Sequence, residues 1–242
     1  MTVIINPYVL AVVGGAFTPA SLSNCQLYVA ADSLSLIDND KIATWTDQSG
    51  NARHLTQTGA DILKPVFKTN IINSLPAVKF DIANGTFFNV GTWMDGYTEI
   101  EMFVLYKWIN LGGTSAPSMH NITGGSGTYQ PFWADSKFYE GFGSNTRRDA
   151  ITGSVAADTQ FRAYNVQSAS GAYNIRQNNT SIFTSATNTV STGSGTRKFG
   201  TNGGQFSDMY VLELVIYNGA AKDSTDRTSI MNFWNTKYGL TI

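Results

Sequence analysis

The alternation of apolar and polar residues in short runs is the feature that most constrains how this chain can fold. Side chains on a β-strand point to opposite faces in turn, so a period of two residues indicates strands with one buried face. Gly, Asn and Ser separate the runs, as is typical of turns between antiparallel strands. We therefore expect each strand to bury one face and to expose the other. The runs are CQLYVA, KIATWT, PAVKFDI, TEIEMFVLYKW, KFYEGF, TQFRAYNVQ, AYNIRQN, RKFGT and FSDMYVLELVIYN.

This pattern predicts an all-β fold, an antiparallel β-sandwich of the jelly-roll type. A chain of 242 residues fits one large sandwich domain. We divide it into an apolar N-terminal arm over residues 1–23 and a single domain over residues 24–242.

One segment, AKDSTDRTSIMNFWNTKYGL, breaks the alternation and is typical of an amphipathic helix. Ile230, Trp234 and Tyr238 recur every four residues and so share one face. Asp223 precedes them as a candidate N-cap residue. The sequence therefore predicts one C-terminal α-helix over about residues 223–238, with its apolar face against the sheet.

Composition excludes several classes of partner and cofactor. The 16 Lys and Arg residues balance 17 Asp and Glu residues and form no cluster, which argues against a nucleic-acid partner. The single cysteine, Cys25, excludes an internal disulfide, and with two histidines there is no set of ligands for structural zinc. No apolar run is long enough for a membrane span. We expect no cofactor.

Four segments carry a family resemblance when they are taken in order along the chain. Together they resemble the concanavalin A-like lectin/glucanase superfamily, in its laminin-G-like form, as found in tailed-phage virion surface proteins. The resemblance implies a jelly roll, but the family includes lectins, glucanases and structural modules, so the fold alone selects no function. The segments are LYVAADS (27–33), WTDQSGN (45–51), KP (64–65) with INSLPAVKFD (72–81), and the ending from Leu212 to Leu240.

The second of these segments predicts a structural turn at one end of the sandwich. Trp45 is a strand residue, and Asp47 can accept backbone N–H groups in an Asx-type turn that includes Ser49. Gly50 and Asn51 can take the positive φ values that end such a turn.

A calcium site is the alternative interpretation of this turn. Calcium binds several oxygen atoms supplied by loops. The candidate ligands are Asp32, Asp38, Asp40 and Asp47. We expect no bound metal.

No catalytic residues are predicted. Glu99 and Glu101 share a strand face, as glucanase carboxylates do, but the next position on that face is Phe103. We interpret the pair as exposed carboxylates at the start of a strand. His54 and His120 lack a pattern that would indicate a general base, and we interpret them as loop histidines. The sequence therefore predicts a protein that is not an enzyme.

A candidate carbohydrate site lies in the aromatic-rich segment 127–149. Aromatic rings that stack on sugars and polar groups that bind hydroxyls often occur together in binding pockets. The candidates are Tyr129, Trp133, Tyr139, Asn145 and Arg147. The alternative is that these aromatic residues belong to the core.

The N-terminal arm is a candidate docking segment, because the first charged residue of the chain is Asp32. We expect the arm to dock onto a partner chain. The alternative is that it folds back as an edge strand of its own sandwich. The apolar side chains are Ile4, Ile5, Tyr8, Val9, Leu10, Val12, Val13 and Phe17.

Together these features favour a non-enzymatic virion structural protein of a tailed phage. We expect a lectin-like decoration or cement subunit on the virion surface, bound to a major capsid or tail protein and to copies of itself. One alternative is a carbohydrate-binding adhesin, such as a tail fibre or receptor-binding module that contacts a host-surface glycan. The other is a secreted glycoside hydrolase.

Overall fold

The computed structural model describes the chain over residues 16–110, 118–122, 137–152, 159–193, 197–219 and 221–242. Within these ranges the elements are mostly antiparallel strands, with one α-helix near the C-terminus. The predicted all-β sandwich with a C-terminal helix is confirmed. The described residues contain no helix that is both long and apolar enough to cross a membrane.

The strands and the helix follow one another along the chain with short 3₁₀ turns at Pro19–Ser21, Ala31–Ser33 and Asp61–Leu63. They are β1 (Cys25–Ala30), β2 (Thr44–Trp45), β3 (Leu55–Thr56), β4 (Val66–Ile72), β5 (Leu75–Phe80), β6 (Phe88–Asn89), β7 (Glu99–Trp108), β8 (Lys137–Glu140), β9 (Arg148–Thr152), β10 (Arg162–Ala169), β11 (Ala172–Gln177), β12 (Thr180–Ser185), β13 (Lys198–Phe199), β14 (Met209–Asn218) and α1 (Ser224–Tyr238).

The large sheet has eight strands among the described residues, in the order β12-β11-β10-β7-β14-β5-β4 with β1 also paired to β14. β14 pairs with β7 along one edge. Along the other edge it pairs first with β5, at Met209–Val211, and then with β1, at Glu213–Tyr217. The first and the last described strands of the chain, β1 and β14, are therefore neighbours in the large sheet.

A second layer covers one face of this sheet. In the described residues it consists of the four-stranded sheet β13-β6-β3-β2 and the β8–β9 hairpin. The inner core lies between the layers and includes Trp45, Phe88, Phe138, Val104 and Leu214, each at most 2% exposed. Burial of these apolar side chains stabilises the sandwich.

Helix α1 covers the opposite, outer face of the large sheet. The side chain of Asp223 caps it by accepting the N–H of Asp226, and Gly239 ends it in the left-handed conformation with φ of 62°. Ile230, Trp234 and Tyr238 are fully buried in the outer core.

The expectation that every strand has one wet face is wrong for the two central strands. β7 and β14 are buried on both faces over most of their length. The reason is that the second layer covers their inner faces, while α1 covers much of the outer face. Near-continuous apolar runs are typical of strands buried on both sides.

Candidate functional site

The turn after β2 is organised by the carboxylate of Asp47, which is 8% exposed. It accepts the backbone N–H of Ser49 at 2.8 Å, an Asx turn, and those of Tyr28 at 3.0 Å and Arg53 at 2.9 Å. Burial raises the pKa of Asp47, but these N–H donors together outweigh burial and hold it below its usual value. One carboxylate thus ties the turn to β1.

The backbone of this turn differs from the prediction at one position. Gly50 has a positive φ of 87°, but the second positive φ, 56°, belongs to Ala52 and not to Asn51. The side chain of Asn51 instead donates to the carbonyl of Cys25 at 2.9 Å. That contact holds Asn51 against β1, and the left-handed residue is the next one along.

Beside this turn lies a cluster of planar polar and aromatic side chains that the sequence did not predict. The Arg53 guanidinium stacks 4.6 Å from the centroid of Trp93 and donates to the Tyr97 hydroxyl at 3.0 Å and to Gln26. Trp93 donates its indole N–H to the carbonyl of Val90 at 2.6 Å. The sequence feature that could have indicated this cluster is the segment GTWMDGYT, in which two aromatic residues lie near glycines and outside the alternating runs.

The candidate carbohydrate site in segment 127–149 is only partly within the described residues. Tyr129 and Trp133 lie outside them. Asn145 and Arg147 are exposed, but Tyr139 is 8% exposed, and the Arg147 guanidinium covers its ring at 4.4 Å. Tyr139 therefore does not present an open ring face on which a sugar could stack.

At the end of strand β8, polar groups of the backbone and of side chains surround the buried carboxylate of Glu140. Its Oε1 accepts the N–H groups of Gly141 and Phe142, each at 2.7 Å, and its Oε2 accepts the hydroxyl of Tyr164. Nε2 of His120 lies 3.5 Å from Oε1. Glu140 and His120 are 0% exposed. His120 lies outside the named strands and its Nδ1 accepts the N–H of Ile122 at 3.2 Å, as expected of a loop histidine, but its ring is buried in the core.

Glu99 and Glu101 share the outer face of β7, but they are not two exposed carboxylates. Glu101 is 1% exposed, and burial raises its pKa. It accepts the N–H of Lys222 at 2.7 Å and the amide of Asn165 at 2.9 Å, and Glu99 accepts the N–H of Ala221 at 2.9 Å. Both carboxylates hold the chain that leads into α1.

The remaining candidate calcium ligands, Asp32, Asp38 and Asp40, each contact a different partner. Asp32 pairs with Lys237 at 2.9 Å, and Asp38 pairs with Lys68 at 2.7 Å. Asp40 accepts the N–H of Ile37 at 3.0 Å. Within the residues that the structure describes, no three His, Cys, Asp or Glu side chains are placed to hold a metal ion.

Residues 1–15 of the predicted docking arm, with seven of its eight candidate apolar side chains, lie outside the described residues, which begin at Ala16. Phe17 is described, and its ring packs edge-to-face on Phe233 of α1 at 6.0 Å. Docking of the arm on a partner chain stays a prediction.

Comparison with solved structures relates the chain to domains of carbohydrate-active proteins. It is similar to Domain 4 of AbnA, a GH43 extracellular arabinanase from Geobacillus stearothermophilus, in complex with arabinotriose. The match has 16% identity and a TM-score of 0.60 and covers 86% of this chain and 98% of that chain.

Two further matches span only part of the other protein. A Trypanosoma rangeli sialidase in complex with sialic acid matches at 10% identity and a TM-score of 0.50, over 88% of this chain and 34% of that chain. An arabinofuranosidase complexed with arabinofuranosyl-alpha-1,2-xylobiose matches at 15% identity and a TM-score of 0.51, over 79% of this chain and 50% of that chain. At these identities the likeness shows the fold. No protein-family model and no curated protein sequence matches the chain.

These comparisons correct two expectations. The expectation of a phage virion structural protein is wrong, because the structural neighbours belong to an arabinanase, a sialidase and an arabinofuranosidase. The expectation that the protein is not an enzyme is contradicted by the same neighbours, most of which are enzymes, at 10–16% identity. The resemblance to concanavalin A-like sandwiches holds at the level of the fold.

Proposed function

We propose that this chain is a carbohydrate-binding β-sandwich domain. The observation that carries the proposal is the match to the arabinotriose-bound Domain 4, because it spans 98% of that chain. The sialidase and arabinofuranosidase structures also contain sugar ligands. A sugar-binding role corresponds to the adhesin alternative raised by the sequence.

The composition of the chain agrees with an uncharged ligand. Its net charge is −1, and the basic residues form no cluster.

A calorimetric titration of the full chain with oligosaccharides tests the proposal. The panel contains arabinotriose, xylotriose and cellotriose as neutral ligands, with trigalacturonate as an anionic ligand. We expect saturable binding of at least one neutral trisaccharide. Heat-unfolded chain is the control. Absence of binding to every sugar in the panel would refute the proposal.

Glycoside hydrolysis is the second candidate function. The observation that favours it is the likeness of the fold to an arabinanase domain and to parts of a sialidase and an arabinofuranosidase. Release of new reducing ends from arabinan by the wild type, but not by heat-unfolded chain, would establish it. If the wild type binds sugar but releases no new reducing ends, the function is binding without hydrolysis.

A further inference from the structure

A polar pocket of about 290 Å³ lies where three distant parts of the chain meet. Tyr28, Asp32 and Ser33 come from the segment LYVAADS, Gln48 comes from WTDQSGN, and Lys237 comes from helix α1. These are three of the segments that carry the family resemblance. They are separated in sequence, yet they line one cavity.

The walls of this pocket are held by hydrogen bonds to buried groups. Lys237 donates to Glu213, which is 0% exposed, at 2.7 Å. The backbone N–H of Gln48 donates to the carbonyl of Tyr28 at 2.6 Å, and the N–H of Tyr28 donates to Asp47 at 3.0 Å. The residues that line the pocket are therefore already ordered before a ligand binds, which lowers the entropic cost of binding.

Charge pairing in the pocket disfavours an anionic ligand. The ammonium of Lys237 lies between two carboxylates, Asp32 at 2.9 Å and Glu213 at 2.7 Å. No unpaired positive charge remains there to attract an anionic sugar.

The remaining hydrogen-bonding capacity suits hydroxyl groups. Asp32 uses Oδ1 for Lys237, so Oδ2 can accept a further hydrogen bond. The hydroxyl of Ser33 donates to the carbonyl of Ala30 at 2.8 Å and keeps its lone pairs. The exposed amide of Gln48 offers both a donor and an acceptor. Neighbouring sugar hydroxyls donate and accept in the same way.

We infer that this pocket binds one neutral sugar residue of an oligosaccharide, an assignment that rests on the proposed function. Its volume lies just below the roughly 300–1,000 Å³ of pockets for drug-sized ligands, and so suits one ring. Asp32 and Gln48 bind hydroxyl groups, and Lys237 orients Asp32.

A second, apolar groove shares the lining residue Lys237 with this pocket. It has a volume of about 550 Å³ and is lined by Phe17 and Phe233, among others. Aromatic side chains provide apolar surface against which the less polar face of a sugar ring can pack. The next residue of the oligosaccharide lies in this groove, against the side chains of Phe17 and Phe233.

Titration of single-site variants with arabinotriose and the other neutral trisaccharides tests this assignment. We expect Asp32→Asn and Gln48→Ala each to weaken binding about tenfold, which corresponds to roughly 1.4 kcal/mol. Asp61→Asn is the matched control, because Asp61 also pairs with a lysine, Lys64 at 2.5 Å, away from the pocket. Thermal denaturation checks that each variant is folded.

Chemical-shift mapping gives a readout independent of affinity. Arabinotriose should shift the backbone amide resonances of Ser33 and Gln48 more than those of Gly143 and Arg147. Trp93→Ala and Arg147→Ala should bind as the wild type does.

The outcomes separate the two proposals. If the wild type binds but Asp32→Asn and Gln48→Ala bind equally well, the pocket assignment is wrong and the proposed function stands. Loss of binding in Trp93→Ala or Arg147→Ala alone would move the site to that surface. If the wild type binds no sugar, both proposals fail. Preference for trigalacturonate would overturn the neutral-ligand assignment.

Discussion

Two regions of this protein each contain a fully buried glutamate, and they satisfy it in different ways. Glu213, beneath α1, accepts from the Trp234 indole at 2.7 Å, Lys237 at 2.7 Å and the Tyr238 hydroxyl at 2.8 Å. Glu140, the last residue of β8 in the β8–β9 hairpin, accepts two N–H groups of the turn that follows it and the Tyr164 hydroxyl.

The difference lies in what each carboxylate holds in place. All three side-chain donors of Glu213 named above belong to one helix, and one of them carries a full positive charge. Glu140 is held mainly by its own turn and by neutral groups. A buried charge is tolerated only where donors compensate the loss of water. We therefore expect Glu213 to affect global stability and Glu140 to affect mainly the local stability of the hairpin.

Removal of Glu213 should have the largest effect. Glu213→Ala leaves the ammonium of Lys237 and two buried hydrogen-bond donors without this acceptor. We expect the free energy of unfolding to fall by about 3–5 kcal/mol, measured by urea denaturation. Glu213→Gln, which keeps an acceptor oxygen, should lose less. A loss below about 1 kcal/mol for Glu213→Ala would show that this carboxylate does not hold the helix.

Removal of Glu140 should be less costly and more local. Glu140→Ala should lower the free energy of unfolding by about 2–3 kcal/mol through lost charge-assisted hydrogen bonds. Hydrogen exchange should accelerate at Gly141 and Phe142 while the amides of α1 remain protected. Equal acceleration in both regions would contradict the contrast between the two glutamates.

Asp47 extends the comparison to a carboxylate whose main donors are backbone N–H groups. Asp47→Ala should lower the free energy of unfolding by about 1–2 kcal/mol. Because the folded pKa lies below the unfolded value of about 3.9, the stabilisation by Asp47 is present above that pH. It is lost as the pH falls through the folded pKa.

Denaturant melts between pH 2 and pH 6 measure this dependence. Asp47→Asn is the control, since it cannot titrate and should lack this part of the acid-side loss. An identical pH profile for wild type and Asp47→Asn would contradict the assignment. Addition of a chelator should leave the melting curve unchanged.

Glu101 should have the smallest effect on the free energy of unfolding. The pH dependence that it causes should have the opposite sign to that of Asp47. Burial raises the folded pKa of Glu101, so the unfolded state loses its proton first, near pH 4.3. The wild type should therefore lose stability as the pH rises from about 4.3 to the folded pKa. Glu101→Gln should lack this loss in urea melts across that range. A steeper loss in the variant would refute the prediction.

The elements that the sequence predicted are those with a local pattern. The four-residue spacing of Ile230, Trp234 and Tyr238 is enough to define the face of α1 that is buried. The Trp93 cluster and the His120–Glu140 pair had no such pattern. Their members come from segments that are well separated along the chain and that only the fold brings together, which no short window contains.

The hydroxyl-binding pocket illustrates the same limit. The segments LYVAADS and WTDQSGN were recognisable as pieces of a sandwich, but their resemblance indicated a turn and not a cavity. Only the fold places Asp32 within 2.9 Å of Lys237, 205 residues away along the chain. Neither residue alone indicates a binding pocket.

By itself the sequence determined the antiparallel sandwich, the C-terminal helix and the absence of a basic cluster, because periodicity, capping and charge are properties of neighbouring residues. The tertiary structure decided which carboxylates are buried, which aromatic rings are covered by arginine and which side chains share a pocket. The physical reason is that burial and the pairing of charges depend on the groups that the fold brings within a few ångströms, irrespective of their separation along the chain.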